Sequence, residues 1–196
     1  MVGFSRGGFT VQCLANLLND SGILFGNDQV EDDDIKEIYQ DWKKKREKYH
    51  GKNVVRTAEL GQQKITIAST AVKAIAIWDS VAALKSEFEL SHVKGELCGN
   101  IAHAYHALSL HERRKDFMPV LWYGPTQRQV LKQVWFPGYH SHVGGGELSA
   151  KSYIPDITLL WMAEQLRPHA RINDEELNHQ LSGMSRGIFQ FCRDTG

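Results

Sequence analysis

The chain has 196 residues, 42% of them apolar and 23% charged, with 23 acidic residues against 23 basic ones. That length suits one domain, residues 1–196, with a real core, and the charge balance implies no bulk pull toward nucleic acid or an anionic membrane. Cys13, Cys98 and Cys192 have no framework spacing and the apolar runs are short and interrupted, so the expectation is free or buried thiols in a cytoplasmic protein without signal peptide or stable membrane insertion.

The chain opens on Gly3-Phe4-Ser5-Arg6-Gly7, a G-x-S-x-G pattern. Such a serine sits on a tight turn between a strand and a helix with its hydroxyl pushed out, and a side chain at either flanking glycine is expected to collide with neighbouring backbone. The Arg6 N–H would face a developing oxyanion, helped by the positive end of the following helix. Phe9, Cys13, Leu14, Leu17 and Leu18 recur at helical spacing, and Asn19-Asp20-Ser21-Gly22 predicts the helix end. A second copy, Gly183-Met184-Ser185-Arg186-Gly187, has no strand candidate before it, so Ser5 is retained and Ser185 set aside. Only Met1-Val2 is left to form the strand entering the first turn. Either the turn is no elbow or the domain has lost N-terminal strands, and the remaining sequence favours loss.

Residues 22–26 read as a turn with an apolar anchor. Glu31-Asp32-Asp33-Asp34, the apolar positions Ile35, Ile38, Tyr39 and Trp42, and Lys43-Lys44-Lys45-Arg46 predict an amphipathic helix charged to suit its macrodipole. Its basic run reads as a solvated helix end rather than a nucleic-acid or lipid patch. Residues 50–63 are polar and broken by glycine, which predicts a loop or lid. Residues 72–78 alternate β-branched positions over strand length and end in Asp79. A carboxylate there is either functional, at the carboxyl end of a buried strand, or a turn-forming cap.

Residues 100–110 read as a helix with His103 and His106 on one face, where no third ligand completes a metal set. Residues 118–122 read as a short strand, and residues 130–136 as a second clear one. The latter runs into a glycine-rich loop, residues 137–146, carrying His140 and His142. One imidazole on a fixed loop needs only a nucleophile and an orienting carboxylate, so His140 is read as a base. Residues 155–166 predict a helix covering the sheet, and residues 173–196 a helix that then frays.

Ser5, Asp79 and His140 follow the Ser…Asp…His order of α/β-hydrolases. In that chemistry His140 takes the proton from Ser5, Asp79 holds the imidazole, and the Arg6 backbone N–H receives the oxyanion.

Four blocks carry a resemblance: Gly3-Phe4-Ser5-Arg6-Gly7-Gly8-Phe9-Thr10, Trp78-Asp79-Ser80-Val81, His106-Ala107-Leu108-Ser109-Leu110 with Glu112-Arg113-Arg114, and Val134-Trp135-Phe136-Pro137-Gly138-Tyr139-His140-Ser141-His142-Val143-Gly144-Gly145-Gly146. They resemble, in order and over residues 1 to about 167, a family of uncharacterised α/β-hydrolase proteins. That family includes the catalytic domain of type VI secretion phospholipase effectors of the first class and has many fungal relatives. The resemblance implies a Ser5–Asp79–His140 triad and hydrolysis of lipid or phospholipid esters, with no cofactor and no metal. Family members carry an Asp-Gly-Thr block with further strands before the serine, and an Asp where this chain has His142.

The fold expected is therefore a partial α/β-hydrolase-like three-layer α/β/α domain lacking its N-terminal strands, and the 196-residue chain is expected to be a poor enzyme. The alternatives are a truncated non-catalytic remnant or interaction module, and, more remotely, a metal site of His140, His142 and Asp79.

Overall fold

The computed structural model describes residues 1–21, 23–25, 32–49, 59–60, 63–64, 66–68, 71–81, 95–145 and 153–181. The elements in chain order are β1 (Val2–Phe4), α1 (Arg6–Ser21), β2 (Ile23–Phe25), α2 (Asp32–Tyr49), β3 (Glu59–Leu60), β4 (Gln63–Lys64), β5 (Thr66–Ala68), β6 (Val72–Trp78), β7 (Ile101–Ser109), β8 (Val130–Phe136), α3 (His140–Gly144), α4 (Ile154–Leu166) and α5 (Asp174–Gln180). Four of the strands form one parallel sheet in the order β1-β6-β7-β8, with Phe4 opposite Trp78, Ile77 opposite His106 and Ser109 opposite Phe136. A parallel sheet must be covered on both faces. Here α1 covers one, with Ala15 packed among Ile75, Ile77, Ile101, Ala104 and Trp122. On the other face α4 sets Met162 against Ala74, Ala76, Tyr105, Ala107 and Phe136. The result is a three-layer α/β domain.

Outside the layers, α2 leans on α1 through Trp42, Phe9 and Cys13, and the Trp42 Nε1–H donates to buried Asp20 at 2.9 Å. The predicted sheet-covering helix starts one residue earlier and is apolar on two sides, because Leu159, Leu160 and Ala163 face Leu177 and Leu181 at α5.

Residues 100–110 contain a strand, not a helix. Their alanines suit a helix, but β7 lies between β6 and β8 in register with both, and that placement overrides propensity. His103 and His106 therefore point to opposite faces. His103 lies against His169, their rings tilted at 44° and both close to the Tyr105 hydroxyl. His106 is fully buried on the α1 side against Trp122.

Residues 118–122 form no strand. A 3₁₀ turn, Lys115–Phe117, leads into an extended segment with isolated bridges at Pro119 and Tyr123, and Pro119 lacks the N–H a ladder would need. Within the predicted turn at 22–26, Ile23–Phe25 pairs antiparallel with Thr66–Ala68, while β3 and β4 pair within and beside the predicted loop at 50–63. The glycine-rich loop winds into the short helix α3, closed by Gly145 in the left-handed conformation at φ 83°. The second G-x-S-x-G copy, with Ser185, and Cys192 lie outside the described residues, as do most of residues 50–63.

Candidate active site

The carboxyl ends of β1, β6, β7 and β8 converge at one end of the sheet, and each of the first two hands the chain to a residue in an unusual conformation. Ser5 (φ 57°) and Asp79 (φ 43°) are the non-glycine residues with positive φ among those described. Left-handed backbone costs a non-glycine residue about 1–3 kcal/mol and persists only where surroundings enforce it. For Ser5 the enforcement is its N–H, bonded to the Trp78 carbonyl at 3.0 Å, with α1 beginning at the next residue. For Asp79 it is its N–H on Ala107 O at 2.8 Å, followed by Ser80 held from three directions. The Ser80 N–H donates to His106 Nε2 (3.1 Å), its Oγ accepts from Gln12 (3.1 Å), and its carbonyl accepts from Val120 (2.9 Å).

Of the two glycines of the elbow pattern only Gly3 is sterically required. A Cβ there would lie 2.6 Å from Gly7 O and 2.8 Å from Gly8 Cα, whereas a Cβ on Gly7 would meet nothing within 4 Å. The second close approach falls at Gly8, whose Cβ would stand 2.5 Å from Ile77 Cγ2. Expectation and structure differ because α1 starts at Arg6, which turns Gly7 outward and Gly8 onto the sheet.

His140, the first residue of α3, brings Ser5 and Asp79 into one line. Its Nε2 is 2.8 Å from Ser5 Oγ and its Nδ1 2.8 Å from Asp79 Oδ2. Asp79 is fully buried, and its carboxylate accepts twice more, from the Ser109 N–H on Oδ1 (2.8 Å) and the Ser109 hydroxyl on Oδ2 (2.6 Å). Ser5 is half-buried, so the line opens outward at the serine. The imidazole is stacked on Phe4 (centroids 4.7 Å, 29° between planes) and met by the edge of Phe117 (5.0 Å, 69°). Arg6 is the first residue of α1, so its N–H has no acceptor within the helix.

The loop that carries His140 is tied down by backbone. Gly138 (φ 115°) exchanges two bonds with His111, N–H to Nδ1 and carbonyl to N–H, both 3.0 Å. His142 does not join the line. Its Nδ1 accepts the Tyr139 N–H at 3.2 Å, so at the position where the resemblance has an Asp the side chain present is itself an acceptor at the start of α3. Among the described residues no group of three His, Cys, Asp or Glu is arranged to hold a metal ion.

Burial drives the His106 pKa down to about 4, so the ring is neutral and Nε2 is free to accept from Ser80. Glu112 is held down to about 2, first by the Arg114 guanidinium. Reasoning from sequence missed Ser109, His106 and Glu112 as supports of the site. All three lie in one quoted block, but read as a helix that block could not put Ser109 at a strand end beside Asp79. A cavity of about 390 Å³ lined by Met1, Val2, Leu18, Val72, Lys73 and His169 lies at the opposite, amino end of the strands, away from Ser5 and His140.

Residues 1–165 match the family model described as the T6SS phospholipase effector Tle1-like catalytic domain. No curated protein matches the chain. A solved structure of an uncharacterized protein from Pseudomonas aeruginosa is similar in fold, with a TM-score of 0.51 and 15% identity. The alignment covers 99% of this chain and 28% of that one, so the chain spans less than a third of its structural relative.

Proposed function

The chain belongs to the family of the T6SS Tle1-like phospholipase effector catalytic domain, and from that premise we propose that it is a serine-dependent hydrolase of lipid esters, phospholipids foremost. The observation that carries this reading is the unbroken line Ser5 Oγ, His140 Nε2, His140 Nδ1, Asp79 Oδ2, with 2.8 Å at each end. In the proposed reaction Nδ1–H of His140 donates to Asp79, which leaves Nε2 as acceptor for the Ser5 proton. Ser5 Oγ attacks the acyl carbon, the ester carbonyl oxygen becomes an oxyanion facing the Arg6 N–H, and the imidazolium returns its proton to the leaving alcohol. Water activated by the same imidazole then releases the acid.

General-base assistance of this kind is worth about 10²–10⁴-fold and one oxyanion donor about 10²–10³-fold. Among the described residues no helix is long and apolar enough to cross a membrane. The test is labelling with a fluorophosphonate together with hydrolysis of a p-nitrophenyl ester. Against the poor enzyme expected above, the assembled contacts of Ser5, His140 and Asp79 support activity, so the reading expects modification at Ser5 and loss of both signals in Ser5→Ala, while Ser185→Ala keeps them. Folded protein that is not labelled, or labelling that survives Ser5→Ala, overturns it.

A further inference from the structure

We propose that Glu112 is a positioning residue for His140: its carboxylate, clamped by Arg114, fixes the start of α3 so that the imidazole stays between Ser5 and Asp79. The inference rests on the triad reading above and adds to it a group that touches none of the reacting atoms.

Glu112 lies three residues past the end of β7, and its side chain is only 2% exposed although it is charged. One carboxylate collects five donors. Oε2 accepts the His140 N–H at 3.3 Å and Arg114 Nη2 at 2.7 Å, while Oε1 accepts the N–H groups of Arg113 and Arg114 and the Arg114 Nε–H, each at 2.9 Å. The forked contact with Arg114 fixes the carboxylate in plane and direction, which a single point charge would not. With its pKa held at about 2, the group stays anionic across any working pH.

The His140 N–H is one of the first-turn donors that a helix cannot satisfy itself, and a helix of five residues has little stability of its own. Its position is therefore set from outside. Arg114 supports the same imidazole a second way: its guanidinium lies 3.8 Å from the Phe117 ring centroid, and Phe117 in turn meets His140 edge-on at 5.0 Å between centroids. A solvated surface pair would contribute little and contact neither the backbone nor the ring of the base.

The test compares wild type with Glu112→Gln, which keeps shape and an acceptor for the His140 N–H but discards the charge and the fork. The readouts are kcat and KM on a p-nitrophenyl ester, the NMR resonance of the His140 Nδ1 proton bonded to Asp79, and the thermal midpoint. Expected are a fall in kcat of about tenfold to a hundredfold with KM within about twofold, and exchange-broadening of the Nδ1 proton. Arg114→Lys, which keeps a positive charge without the fork, should lie between. Wild-type kcat and an unchanged Nδ1 proton in Glu112→Gln, even with a lowered melting point, would reduce the carboxylate to a structural ion pair and overturn the proposal. Should that variant not fold, the same unchanged pair of readouts in Arg114→Lys overturns it. If wild type hydrolyses no ester the triad reading fails by itself, and the Nδ1 proton still decides the positioning role.

Discussion

At the scale of single residues, the site depends on how a buried carboxylate is satisfied. Asp79 has no contact with water and takes three hydrogen bonds, two from Ser109 and one from His140. Asp79→Asn offers the imidazole an amide in place of an acceptor-only group and favours the wrong tautomer, so kcat should fall by about 10⁴-fold with the fold retained. Ser109→Ala removes a charge-assisted bond of 2.6 Å and should cost about 2 kcal/mol in chemical denaturation, with a smaller loss in kcat. The two histidines of the loop separate cleanly. His140→Ala should cost orders of magnitude in kcat, whereas His142→Ala removes the acceptor of the Tyr139 N–H and a ring contact with Tyr139 and should lower stability by about 1 kcal/mol. His142→Asp supplies another acceptor for the Tyr139 N–H and should leave activity unchanged or raised. Equal, large losses from alanine at both would point to a shared metal site.

At the scale of elements, the approach of α1 to β1 and β6 sets where Ser5 stands. Gly3→Ala would press its Cβ onto the Gly7 and Gly8 backbone, which no rotamer change relieves, so α1 must shift and ester hydrolysis and Ser5 labelling should collapse together. Gly8→Ala should fail in a similar way against Ile77. Gly7→Ala meets open space in the first turn of α1 and should raise the melting point, by up to about 1 kcal/mol of stability, with activity intact. A melting point lowered by Gly7→Ala would mean that the elbow pattern needs both its glycines after all.

At the scale of the whole molecule, two ionisable groups, buried His106 and the Arg114-clamped Glu112, make stability depend on pH in one direction. His106 titrates at about 4 in the fold against an ordinary 6.5, chiefly because burial penalises its charged form. Between those values the unfolded chain binds a proton that the folded chain refuses, so stability falls as pH drops from about 6.5 to about 4, by about 3 kcal/mol in all. Glu112 adds to the same side: its stabilisation is full above about 4.5 and is lost as pH falls through about 2. Melting points measured from pH 7 to pH 4 should therefore decline, and His106→Gln, which cannot titrate, should flatten that decline. An unchanged slope in that variant would assign the acid sensitivity elsewhere.

How much of this was legible beforehand follows from the range of the interactions involved. Ser5, Asp79 and His140 were singled out as candidates by their order along the chain and by the four-block resemblance, whereas the bounds of β6 and β8 and the helical stretch of α1 come from local pattern: β-branched alternation, apolar residues three and four apart and glycine punctuation. Those signals act within a few residues, so the amino-acid sequence determines them alone. Whether residues 101–109 are strand or helix was not local, because β6 and β8 supply the hydrogen-bond partners that make them a strand. On that one decision hang the parting of His103 from His106 and the placing of Ser109 beside Asp79. The same holds for Gly7 against Gly8, which only the seating of α1 on Ile77 distinguishes, and for Glu112, whose service to His140 spans 28 residues and exists only once the loop has folded back. Tertiary structure decided these because each is a relation between two surfaces, and a surface has no neighbour until the chain has closed on itself.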